Sequence, residues 1–195
     1  MEKVVMTVQE HAERNARSKK MLLWFAMISM FMTFAGLTSA YVVSSSRPDW
    51  VKDFALPSAF TISTLVIVIS SITFHFAITA IKKGNHSAAS GLILGTLGLG
   101  IAFVVLQFVG FGQVIQAGYY FTGPESNITT TFLYIVTIVH LAHLIAGLIV
   151  LLVVIYNHFK QKYTPSQTLG IELGALFWHF LGFLWVYLFL FFYFY

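Results

Sequence analysis

The sequence predicts an all-α, polytopic membrane protein with five transmembrane helices. Three observations predict it. Of its 195 residues, 58% are hydrophobic and 9% charged, where a soluble domain carries roughly 25% charged residues. The apolar residues gather into five continuous runs, each at or above the ~18–20 residues that cross a bilayer core. The runs do not break into ~10-residue alternating segments, so a membrane barrel is excluded. Backbone polar groups find no partner in lipid, and a continuous run satisfies them only as a helix. Eleven basic and seven acidic residues are too few to coat a soluble enzyme, and disorder is excluded by the high hydrophobicity. There is no cysteine, which removes disulfides, iron–sulfur clusters and thiolate metal sites. No block of like charge offers a nucleic-acid surface.

Residues 1–20 read as a cytoplasmic tail and 21–195 as one membrane domain. Within the tail, Thr7 and Glu10 have capping-box spacing, and Glu10–Arg14 and Glu13–Arg17 stand four apart. The first span is 21–43, too long for the ~7–15-residue core of a cleaved signal. The second is 57–81, opened by Pro57 and closed by Lys82 and Lys83. The third is 90–115, with Gly91-x-x-x-Gly95 and then Gly98 and Gly100, a pattern that lets another helix approach closely. The fourth is 130–155, and the fifth is 170–194. All four prolines lie in loops or at a helix start, so the broken helices of a transporter are not expected.

Lys and Arg orient the chain. The tail and the loops after the second and fourth spans hold nine of them, and the first loop holds Arg47 and Lys52. The positive-inside rule then places the N-terminus in the cytoplasm and the C-terminus outside. Trp24, Tyr156 and Tyr163 fall at the inner interface, and Trp50, Tyr119, Tyr120, Tyr193 and Tyr195 at the outer one.

Polar residues inside a membrane are costly, and each is a candidate for function. Those within the spans are His75, Gln107, His140, His143, Glu172 and His179; His11, His86 and His158 fall in the tail or loops. His179 stands seven residues beyond Glu172, about two turns and ~10 Å deeper on the same face. Glu172, His179 and His143 are therefore expected to meet as a buried polar cluster near His75. The competing expectation is that each bonds separately to a backbone carbonyl or a hydroxyl, and that Glu172 sits at the interface or pairs with a cation. A paired carboxylate for acid–base chemistry is absent. Two-histidine haem ligation needs rings facing each other at similar depth. His143 against His179 is the pair that could do so, which makes a cytochrome-b-like electron carrier the rival reading. The residues alone describe a rigid five-helix scaffold with a sparse polar interior and no cofactor of its own.

Those same residues resemble subunit III of the haem-copper respiratory oxidases. The last span carries Glu172, then Trp178-His179-Phe180, then Trp185. The fourth has His140-x-x-His143-x-x-x-Gly147, and the third has Gly100-x-x-Phe103-x-x-x-Gln107. Trp24, Ser29 and Ala40-Tyr41 in the first span, and Ser70-Ser71-x-Thr73-x-His75 in the second, are also similar. The resemblance runs in order from about residue 21 to 195 and is closest to a five-helix short form. It implies a non-catalytic subunit of a cytochrome c oxidase in the inner membrane of a bacterium. It implies association with catalytic subunit I and the other oxidase subunits, which hold the haems and copper, and bound phospholipid. A quinol oxidase, or a relative associated with nitric oxide reductase, is the alternative. Three family carboxylates are replaced by Met30, Gly110 and Gly182, which points to a dry scaffold more than to a proton relay.

Overall fold

The computed structural model describes residues 8–51, 54–124, 126–165 and 167–195. Lys3 and Thr7 of the tail and Lys52 of the first loop lie outside them. Five helices follow in chain order: α1 (Val8–Ser44), α2 (Ser58–Lys82), α3 (His86–Gln116), α4 (Ile128–Phe159) and α5 (Leu169–Phe194). All five are long and apolar enough to cross a membrane. Each expected span falls on one helix, with only Pro57 of the second left outside as the N-cap of α2, and every helix runs past its apolar run at one end or both. A helix need not stop where hydrocarbon stops. It stops where its end is capped or its backbone must turn.

The ends show this. Asn85 Oδ1 accepts the Ala88 N–H at 3.0 Å, and Asn127 Oδ1 accepts the Thr130 N–H at 2.9 Å. These caps start α3 four residues and α4 two residues before their apolar runs. His86, expected in a loop, is therefore the first residue of α3, and His158, also expected in a loop, is helical because α4 runs on to Phe159. His158 is buried, and its Nε2 lies 2.8 Å from the Ser90 hydroxyl. Between α2 and α3, Gly84 takes φ +73°, a left-handed turn that glycine adopts without steric cost. The basic tail continues α1 without a break from Val8 onward.

α2 and α3 form a tight antiparallel hairpin. α5 lies centrally against α2, α4 and α1, while α1 approaches only α4 and α5. The core follows from this. Phe74, Ile67 and Phe60 of α2, Ile93 and Phe103 of α3, Leu144 and Leu151 of α4, and Trp178 and Leu181 of α5 are buried together. A smaller cluster holds α1 in place, with Phe34 against Val136, Leu184 and Leu188. Towards the end away from the basic tail, Tyr41 packs edge-on against Trp50 at 4.6 Å and against Phe191 and Phe192 at 5.4 Å. In the first loop the Arg47 guanidinium bonds Asp49 at 2.9 Å and holds its carboxyl below the usual carboxylate range.

Candidate functional site

Trp178 is the point where four helices meet. It is fully buried on α5. Its indole N–H donates to Ser70 Oγ of α2 at 3.2 Å, and Ser70 in turn donates to the Thr96 carbonyl of α3. A Cβ on Gly100 of α3 would stand 2.7 Å from its ring, and one on Gly147 of α4 would stand 3.5 Å from it and 2.6 Å from Leu181. The two glycines therefore make room for the α5 side chains. One turn pair further along α5, Trp185 repeats the scheme. Its N–H donates to Thr64 of α2 at 3.0 Å, and Phe103 meets its ring edge-on at 5.2 Å. His140 of α4 lies tilted against the same indole at 5.2 Å. His140 is fully buried, with Phe34 and Phe103 also around its ring, and neither ring nitrogen meets a hydrogen-bond partner among the described residues. Gln107 completes the seam by donating from Nε2 to Ser63 Oγ at 2.9 Å. The seam joins serine and threonine hydroxyls of α2 to α3 and α5, the kind of hydrogen bond that ties membrane helices together.

The remaining candidates do not form the expected cluster. Glu172 lies at the basic end of α5, where it meets Lys82 Nζ of α2 at 2.8 Å and accepts from Thr168 Oγ1 at 2.9 Å. His143 bonds the Val139 carbonyl of its own helix through Nδ1 at 2.8 Å and faces Phe34 at 5.7 Å. His179 bonds the Ser71 hydroxyl of α2 through Nδ1. His75 is exposed on α2, its ring 6.5 Å from that of His179. Thus His75 and His179 are neighbours, while Glu172 and His143 have separate partners. The reason is helix direction. Glu172 and His179 share a face of α5 turned towards α2, whereas His143 is turned towards α1. The same divergence removes the His143–His179 pair as axial ligands to one haem. Among the described residues, no three His, Asp or Glu side chains converge in a way that could hold a metal ion.

The arrangement is one of packing. Gly100, Phe103, Gln107, His140, Gly147, Trp178 and Trp185 are one assembly spread over three helices. The profile of cytochrome c oxidase subunit III matches residues 7–195. The chain belongs to the cytochrome c oxidase subunit III family. Similar curated proteins include subunit 3 of the cytochrome bo(3) ubiquinol oxidase of Pseudomonas putida, 28% identical over 81% of this chain and 73% of that protein. Cytochrome c oxidase subunit 3 of Corynebacterium diphtheriae is 28% identical over 82% and 79%. That of Thermostichus vulcanus is 26% identical over 92% and 89%. These relatives are named as third subunits of a ubiquinol oxidase and of cytochrome c oxidases. Of the motif residues named above, Gly100, Phe103, His140, Gly147, Trp178 and Trp185 make contacts between helices, whereas Trp24 and His75 are exposed.

Sequence reasoning missed Lys82 as the partner of Glu172, since it was counted only for topology. It also missed the hydroxyls Ser63, Thr64 and Thr96. Their signal was faint, because single hydroxyls in an apolar run are common and carry no spacing rule. Of the replaced carboxylates, Gly110 is filled by the Phe60 ring, which would lie 2.5 Å from a Cβ there. No side chain of any size fits at Gly110 unless Phe60 moves.

Proposed function

We propose that this chain is the accessory third subunit of a proton-pumping haem-copper terminal oxidase of the cytochrome c type. It stabilises the catalytic subunit and carries no electrons itself. The observation that carries this reading is the Trp178 knot, in which residues of the family's motifs pack against one another where α2, α3, α4 and α5 meet. The haems and copper then belong to subunit I and its companions. The N-terminus and the basic ends of α2 and α4 face the cytoplasm of a bacterial cell, following the positive-inside rule. Phospholipid fits the same basic end. Lys19, Lys20 and Lys162 line a pocket of about 530 Å³ with Tyr163, Gln167 and Glu172; Lys82 already pairs the one carboxylate, which leaves the lysines to a phosphate headgroup.

Purification of the tagged chain from membranes in mild detergent tests this reading. Haem-bearing subunits and ferrocytochrome c oxidation are expected to co-purify. The chain stripped of partners is expected to show no Soret band. A Soret band in the stripped chain, or purification without any haem-copper subunit, would overturn the proposal. Ubiquinol oxidation in place of ferrocytochrome c oxidation would move the assignment to the quinol branch.

A further inference from the structure

The Lys82–Glu172 pair sets the register of α2 against α5. His75 lies seven residues before Lys82 and His179 seven residues after Glu172. The helices run antiparallel, so both imidazoles stand at one depth, ~10 Å inward from the pair. His179 is half-buried and bonded to Ser71. His75 is exposed on the outside of the bundle, and its side chain makes no hydrogen bond among the described residues. A groove of about 260 Å³ between α2 and α5 is lined by His179 and Ser71 together with Ile67, Ile72, Gly182 and Phe183, and the His75 ring stands next to it, 6.5 Å from that of His179.

An imidazole facing hydrocarbon loses the hydrogen bonds it makes in water. Lysine and arginine can reach back to the interface on long stems, but an imidazole ~10 Å deep is too short to do so. The outward sides of α3 and α4 differ. They present Ile101, Val105 and Phe108, and Ile149 and Leu152, which acyl chains cover without cost. Of these three faces, the α2–α5 face is the one that asks for a polar occupant, ~10 Å inward from the rim.

We propose that the α2–α5 groove docks the catalytic subunit, through a membrane helix that brings a carboxylic acid, amide or hydroxyl to His75 and His179. The proposal rests on the oxidase membership argued above. It names a face and a chemistry that membership does not. Acyl chains offer no hydrogen-bond partner there, whereas a membrane helix of the oxidase's catalytic subunit supplies both apolar surface for the groove and a polar side chain for the imidazoles.

The chain has no cysteine and the test needs none. Photo-reactive residues are placed at exposed Ile72 and Phe183 in the intact oxidase, with a third at Ile149 of α4 as control. Illumination is expected to join the first two to the haem-bearing catalytic subunit and the control to lipid. His75→Leu is expected to weaken retention of the chain on the complex about tenfold, as loss of one polar contact would, while His75→Gln retains it. If Ile72 and Phe183 label only lipid, or a second copy, while haem-bearing subunits still co-purify, the docking face is wrong and the oxidase assignment stands. If no haem-copper subunit co-purifies, the assignment falls and this inference falls with it.

Discussion

At Glu172 a carboxylate and an ammonium lie 2.8 Å apart, both partly open to the surroundings, with side-chain exposures of 35% and 53%. Such pairs contribute little, because water and mobile ions screen them. A double-mutant cycle of Glu172→Gln and Lys82→Met is therefore expected to give a coupling below about 1 kcal/mol. The thermal midpoint in detergent should fall by no more than about 2–4 °C for either single change. A coupling several times larger would mean the pair is shielded from water and would revise its place at the rim. Sequence reasoning held this outcome as one of two. A lone carboxylate at a span's entry had to be paired or wetted, and that much follows from charge and depth. Which lysine pairs with it depends on the register of α2 against α5, and no local pattern encodes a register between helices sixty residues or more apart in the chain. His143 shows the opposite limit. It was expected a little deeper than His179, but depth says nothing about azimuth, and His143 turns towards Phe34 of α1 and bonds the Val139 carbonyl of its own helix.

Between elements, glycines sort into two kinds. Gly100 and Gly147 touch α5 side chains, whereas a Cβ on Gly91, Gly95 or Gly98 would meet nothing within 4 Å. The Gly91-x-x-x-Gly95 pattern therefore faces away from this chain's own helices. Gly100→Ala is expected to destabilise the chain by about 1–3 kcal/mol, because the added methyl overlaps an indole fixed by its own hydrogen bond. Gly95→Ala should leave the isolated chain unchanged or slightly more stable, since alanine is the better helix former. Thermal unfolding of both variants in detergent measures the contrast. Equal losses would place the Gly95 face inside the bundle. The helices themselves were legible because each apolar run is long and continuous. Their ends were not, because Asn85 and Asn127 cap from polar stretches that hydropathy does not resolve.

Across the whole molecule the packing is uneven. α2 to α5 form a closed group built on Trp178, and α1 is attached to its side through Phe34, Tyr41 and the Thr38–Tyr187 hydroxyl contact at 3.2 Å. That order was not readable from the sequence, where the five runs look equivalent. The uneven packing has a consequence during synthesis. α1 leaves the ribosome first, yet the helices it packs against, α4 and α5, are the last two made. At typical rates of about 5–20 residues per second, α1 waits in the bilayer for on the order of 10 s before α4 is complete. Through that interval Phe34 and Thr38 face lipid or a neighbouring protein. A nascent chain halted after α3 should therefore expose α1 to membrane quality control, while one released after α5 should not. Pulse-chase of chains truncated at residue 120 against the full length is expected to show faster degradation of the shorter form.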